Sequence, residues 1–170
     1  GERMKVIISP DSFKGTMSSV EAAASIEKAI KQISETIETV CLPVADGGEG
    51  TLDALVAATN GRFVETTVCN PIGREIRARY GVLGDEKTCV IEMAEASGIT
   101  LLSKEERNPM KATTFGTGQL IDHALCQGYR HFIIGIGGSA TNDAGLGMLH
   151  ALGVKFLDEA LQPLPIEVCS

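Results

Sequence analysis

Glycine punctuates one stretch of this chain at the point where its pattern changes: Gly135-Ile136-Gly137-Gly138-Ser139-Ala140-Thr141-Asn142-Asp143-Ala144-Gly145-Leu146-Gly147. The residues before it, His131 to Ile136, form an apolar run that reads as a buried strand. The residues after it, from Asp143 to Leu152, set Leu146, Leu149 and Leu152 at helical spacing. The glycines therefore sit at a strand-to-helix junction. Glycine there opens backbone conformations closed to other residues and allows close approach of a ligand. Free N–H groups at a helix start, aided by the helix dipole, hold anions. Ser139, Thr141 and Asn142 add hydroxyl and amide groups, so the stretch reads as a seat for a phosphate or carboxylate, with a plain helix cap as the alternative.

A junction of this kind belongs to an α/β sheet, and the front of the chain repeats the pattern. Lys5 to Ser9 is a short β-branched run closed by Pro10, which reads as a buried parallel strand. The loop Asp11-Ser12-Phe13-Lys14-Gly15-Thr16-Met17 follows it. Ser18 and Glu21 form a capping box, and Val20, Ala23, Ile26, Ile30, Ile33 and Ile37 share one helical face. Glu38 to Val44 reads as a second strand. Then comes Ala45-Asp46-Gly47-Gly48-Glu49-Gly50 and a helix from Thr51 to about Thr59. Both loops fall at carboxyl ends of strands, where open α/β sheets bind ligands. Two strands do not make a stable sheet, so further strands must come from elsewhere.

From Arg62 the spacing shortens. Strands are expected over 62–69, 75–80 and 88–94, with turns at Asn70-Pro71-Ile72-Gly73 and Gly84-Asp85-Glu86-Lys87, an antiparallel meander. Within the second of these strands Ile76, Ala78 and Tyr80 oppose Arg77 and Arg79, which read as its wet face. A polar loop over 97–114 and a helix from Gly116 to Gln127 lead to the His131 strand. The expected architecture is α/β in two parts: residues 1–61, and an incomplete mixed sheet over 62–170. The end of the chain reads as an interrupted beginning, and a longer protein is expected.

The totals narrow the function. With 44% hydrophobic residues in 170, a sizeable aliphatic core is available to one domain or two small ones. A net charge of -7 argues against a nucleic-acid binder. No apolar run reaches the length of a membrane span. Cys41, Cys69, Cys89, Cys126 and Cys169 form no CxxC pair, which argues against zinc and reads as reduced thiols in a cytoplasmic protein. GxxxxGK[ST] is absent, and no GxGxxG follows a strand in the dinucleotide register.

Four stretches together resemble the bacterial-type glycerate kinase family, which phosphorylates D-glycerate with ATP: Ile8-Ser9-Pro10-Asp11-Ser12-Phe13-Lys14-Gly15, Pro43-Val44-Ala45-Asp46-Gly47-Gly48-Glu49-Gly50-Thr51, Ile91-Glu92-Met93-Ala94-Glu95-Ala96-Ser97-Gly98, and Gly135 to Gly147. Arg107-Asn108-Pro109 with Thr113-Thr114-Phe115-Gly116-Thr117-Gly118 resembles it too. Ala144 stands where family members usually carry Gly. The resemblance implies a flavodoxin-like domain built from both chain ends, with a second α/β domain inserted between. On that reading residues 1–61 belong to the first domain and 62–170 to the insert.

The chemistry implied is phosphoryl transfer, which needs cations, positioning donors and a group that orients the attacking hydroxyl. Lys14 would neutralise phosphate or the glycerate carboxylate. Asp46 would accept the substrate proton or, with Glu49, bind magnesium; the alternative is that both stabilise the next helix as N-terminal carboxylates. Asp11, Ser12, Gly47 and Gly48 complete the two front loops. Glu92 interrupts an apolar strand, where a carboxylate is costly unless paired or bound to a ligand; a water-facing edge position is the alternative. Arg107 would clamp a carboxylate. Gly137, Gly138, Ser139, Thr141 and Asn142 would hold the anion. The implied cofactors are ATP and Mg2+, and the partners are D-glycerate and ATP, with 2-phosphoglycerate the favoured product. No nucleic acid or membrane partner is expected, and self-association into a homo-oligomer stays open. The rival reading is a non-catalytic anion or sugar-acid binder that requires a missing C-terminal half.

Overall fold

The computed structural model describes residues 5–8, 18–41 and 47–164. Lys14, Asp46, Asp11 and Ser12 lie outside the described residues.

β1 (Lys5–Ile8) pairs in parallel with β2 (Glu38–Cys41), with Val6 opposite Thr39. The helix between them, α1 (Ser19–Ile33), opens on the expected capping box: the Ser18 hydroxyl accepts from the Glu21 N–H, and the Ser18 N–H donates to the Glu21 carboxylate. The periodicity would have carried this helix to Ile37. It stops at Ile33 instead, because Ser34 leaves the helical conformation (φ -160°) while its N–H still bonds Ile30. Lys31 then fastens the turn by donating to the Ile37 carbonyl at 2.6 Å.

The second sheet has four strands in spatial order β3 (Arg62–Cys69), β4 (Glu75–Val82), β5 (Thr88–Glu92) and β6 (His131–Gly135). The first three run as the expected antiparallel meander, and β6 lies parallel to β5 with Ile91 opposite Ile134. This is the mixed α/β sheet that the spacing predicts.

Alternation along β4 and β5 sends side chains to two separate layers. One layer holds Val68, Ala78, Tyr80, Val82, Cys89 and Ile91 against α4 (Phe115–Cys126), whose Leu120, Ile121 and Ala124 are buried. A short helix, α5 (Leu146–Ala151), packs beside α4, with Met148 and Leu152 closing that layer. On the opposite face Val90 and Leu83 meet Leu52 and Val56 of α2 (Thr51–Ala58). So α2 buries its apolar side on the four-stranded sheet, although its sequence position groups it with β1 and β2.

The 97–114 segment is not one polar loop. It opens on the last residue of a one-turn helix, α3 (Ala94–Ser97), followed by a 3-10 turn over Ile99–Leu101. Cys41, Cys89 and Cys126 are free thiols, whereas Cys69 is disulfide-bonded, against the expectation that all are reduced.

Candidate functional site

The turn after β6 is held from two sides. The Gly137 N–H donates to the Gly47 carbonyl at 2.6 Å, joining the Gly-Gly turn before α2 to the glycine stretch. Contact is so close that a Cβ on Gly137 would lie 2.5 Å from the Gly48 Cα, and one on Gly135 2.9 Å from the Gly47 oxygen. Only glycine fits backbone against backbone at that distance. On the other side the Met93 N–H donates to Gly135, Ile99 to Gly138, and Ala140 to Ser97. Gly98 and Ser139 form an isolated antiparallel bridge. The buried Ser97 hydroxyl then bonds Thr117 of α4 at 2.8 Å. Four stretches far apart in sequence thus meet at the carboxyl ends of β5 and β6.

Glu92 ends β5 at this junction and is 3% exposed. It does not face water from an edge. Its carboxylate accepts from the Leu52 N–H at 2.8 Å, at the start of α2. Burial raises its pKa to about 7, against the pull of the Leu52 and Gly50 N–H groups, with Glu95 and Asp53 adding to the rise. Glu92 is therefore a buried cap that fixes the Gly47–Gly50 turn. A helix N-terminus offsets part of the cost of a carboxylate in an apolar strand.

Arg79 is the residue that strand alternation misplaces. Arg77 is exposed and pairs with Glu65, as a wet face requires. Arg79 is instead partly covered, bonding Asp53 of α2 at 2.9 Å and Glu95 of α3 at 3.2 Å, with its guanidinium 4.4 Å over the Phe63 ring. Burial works against its charge, but Glu95 and Asp53 outweigh it. The Glu95 carboxyl is raised, by burial first, with Arg79 opposing. This cluster escaped the sequence because nothing in β4 announces that α2 covers that face.

The glycine stretch departs from expectation at its far end. Helix α5 begins at Leu146, not at Asp143, and its first donors are already engaged. The Asp143 carboxylate accepts from the N–H groups of Gly145 and Gly147 and from both the N–H and hydroxyl of Thr114, at 2.8 to 3.1 Å. The Met148 N–H donates to the Thr114 hydroxyl. Burial pushes the Asp143 carboxyl up, yet these donors overcome it and hold it below the usual carboxylate range. An anion cannot take the start of α5, because a protein carboxylate is there. The donors left to a ligand are those before it, around Gly138 to Asn142. Here Ser139 and Thr141 share a hydroxyl bond of 2.8 Å, the Thr141 N–H donates to Ser139, and Asn142 is exposed.

Glu49 is exposed at the Gly47–Gly50 turn and makes no hydrogen bond with a described residue. Arg107 stands exposed on the loop after the 3-10 turn, outside the network that joins the other segments. His123 bonds the Tyr80 hydroxyl at 3.1 Å, in keeping with a structural role. Among the described residues no cluster of three or more His, Cys, Asp or Glu is placed to hold a metal ion.

Residues 6–168 match the model of the glycerate kinase family. The chain belongs to the glycerate kinase family. It is 54% identical over 157 residues to a glycerate kinase of Bacillus subtilis (strain 168), covering 92% of this chain and 41% of that protein. It is 50% identical over 155 residues to the glycerate 2-kinase of Escherichia coli (strain K12), covering 91% and 41%. The solved structure of a glycerate kinase 2 from Salmonella typhimurium LT2 superposes with a TM-score of 0.83 at 47% identity, over 95% of this chain and 43% of that one. The chain thus spans less than half the length of these relatives.

Proposed function

We propose that this chain supplies the strand-end turns of an ATP-dependent glycerate kinase that converts D-glycerate to phosphoglycerate, with the 2-phosphate favoured. The observation that carries this reading is the seam where Gly47–Gly48 meets Gly135–Gly137. It brings two anion-type turns to one end of one sheet, as a triphosphate beside a small hydroxy acid requires. Gly137, Gly138, Ser139, Thr141 and Asn142 would line the phosphate side. Lys14 and Asp46 would act as cation and proton acceptor, with Asp11 and Ser12 as further binding residues. Glu49 suits a magnesium ion, since its exposed carboxylate is not engaged, and Asp46 is the second candidate ligand. Magnesium would neutralise charge on the transferring phosphoryl group. Arg107 would reach the acceptor carboxylate only if its loop moved inward. Glu92 would serve by holding the turn through the Leu52 N–H.

The division of the chain at residue 61 belongs to the same proposal: residues 1–61, with β1, α1, β2 and α2, for a flavodoxin-like domain, and 62–170 for an insert. Among the described residues no helix is long and apolar enough to cross a membrane. A cytoplasmic setting, where ATP is available, fits the reading.

A coupled ADP-release assay tests it, on this chain and on a version extended by the downstream part of the Bacillus subtilis relative. The extended form is expected to release ADP only when D-glycerate is present. No glycerate-dependent release would sink the proposal. In the extended form Lys14→Ala should lower kcat/KM by about tenfold or more, on the order of 1.4 kcal/mol. The limited span of the chain favours one second reading, an anion-binding portion without turnover of its own. Calorimetry that detects glycerate or ATP binding to the 170-residue chain, with no ADP release, would select it.

A further inference from the structure

Each glycine turn is fastened to a helix. The Gly47 N–H donates to the Thr51 hydroxyl at 2.9 Å, and the Thr51 and Ala54 N–H groups donate back to Gly48 and Gly50, so the first turn moves with α2. The second turn lies on α3. Met93, which precedes that helix, donates to Gly135, and a Cβ on Gly138 would stand 3.3 Å from the Ala94 Cβ. Among the described residues, Arg79 alone forms ion pairs with both helices. Its Nη2 bonds Asp53 Oδ2 of α2 at 2.9 Å, and its Nε bonds Glu95 Oε1 of α3 at 3.2 Å. The other pairs, Arg62–Glu86, Arg74–Glu106 and Arg77–Glu65, touch neither helix.

Arg79 itself is at neither turn. It stands in β4 two residues before Gly81, which pairs with Val90, so it shares the face that α2 covers. Any effect it has on the turns passes through the helices. A guanidinium suits that task. It is planar, its donors leave in fixed directions, and two carboxylates bound to it hold a set separation. The Phe63 ring, 4.4 Å from it, fixes its plane. A partly covered ion cluster is a costly way to gain stability alone, since apolar groups of the same shape often do as well. Its two partners also sit beside Glu92, the cap of α2, and both oppose the Glu92 charge.

We propose that Arg79 is a positioning residue of the kinase: by holding α2 and α3 on one guanidinium, it sets the spacing between the Gly47–Gly50 turn and the Gly135–Gly138 turn, and so the alignment of donor phosphate with acceptor hydroxyl. What the turns hold rests on the kinase reading; the fastening rests on the geometry. Without Arg79 each turn keeps its own donors, so each ligand still binds. Alignment between them suffers, and a misplacement of about 1 Å costs on the order of a hundredfold in rate.

Hydrogen exchange on the 170-residue chain tests the fastening. The Leu52, Ile99 and Gly137 amides bond Glu92, Gly138 and Gly47. Arg79→Gln is expected to speed their exchange at least about tenfold more than that of Leu120 and Ile121 in α4. Arg77→Gln, which removes the same charge two residues earlier on β4, should leave all five within about twofold. If Arg79→Gln does not fold, Arg79→Lys takes its place, since an ammonium keeps the charge and loses the fork. No change, or an equal change at the turns and in α4, overturns the proposal. In the extended chain, Arg79→Gln should lower kcat at least about fivefold with both KM values within about twofold, at a temperature where circular dichroism shows the variant fully folded. Full kcat there overturns the proposal, and so does a raised KM with kcat kept. A parent extended chain that releases no ADP sinks the kinase reading instead, and the exchange result then decides the fastening separately.

Discussion

Ala144 holds a left-handed backbone conformation, with φ at 51°. Its Cβ is crowded there against the following carbonyl, at a cost of roughly 1 kcal/mol. Glycine, with no Cβ, takes this conformation without that cost. Ala144→Gly is expected to raise unfolding free energy by about 0.5–1 kcal/mol, read from urea denaturation midpoints at unchanged slope. Glu92 makes a second residue-scale prediction. Its carboxyl titrates near 4.5 when unfolded and about 7 when folded, burial being the main cause. Between those values the folded chain binds more protons, so stability falls as pH rises from about 4.5 to about 7, by up to on the order of 3 kcal/mol. Melting temperatures across that range should fall, and Glu92→Gln should flatten the slope. Some slope will remain, because the Glu95 carboxyl is raised as well. The sequence marks Glu92 as anomalous by its place in an apolar run. It cannot say whether the partner is a ligand or a helix end, because α2 lies 40 residues away.

Among the elements, α5 depends on contacts beyond its own turns. Six residues are too few for a helix to persist on local bonds. What holds it is Asp143, whose four accepted bonds join the glycine stretch to Thr114 at the start of α4. Asp143→Asn replaces an oxygen with an amide that cannot accept, which leaves buried N–H groups unmet. The expected loss is about 1–3 kcal/mol by chemical denaturation. Thr114→Val should cost a similar amount, and the double variant less than the sum, since both remove one network. The alternating period of β3 and the helical period of α4 were open to reading because each buries one face against a single layer. The 94–101 helical turns were hidden, since four- and three-residue turns carry no period. The late start of α5 was hidden because Asp143 looks the same as a first-turn acid until Thr114 is seen beside it.

Across the molecule the two sheets differ in support. β4 and β5 are covered on both faces, whereas among the described residues β1 and β2 form a two-stranded ladder with α1 against it. Amides of β1 and β2 should exchange well ahead of those in β4 and β5, by roughly a hundredfold or more, in native-state hydrogen exchange on the 170-residue chain. That two strands alone make a weak sheet was legible from topology. That α2 leaves them for the other sheet was not, because its apolar side would suit either surface. The bond from Gly137 to Gly47 crosses between the segments that flank α2 and β6. With no side chain between them, the two turns have no slack. If both turns grip ligands as proposed, a molecule held by one would tug the other, and seating the first would already set the pocket wall that greets the second.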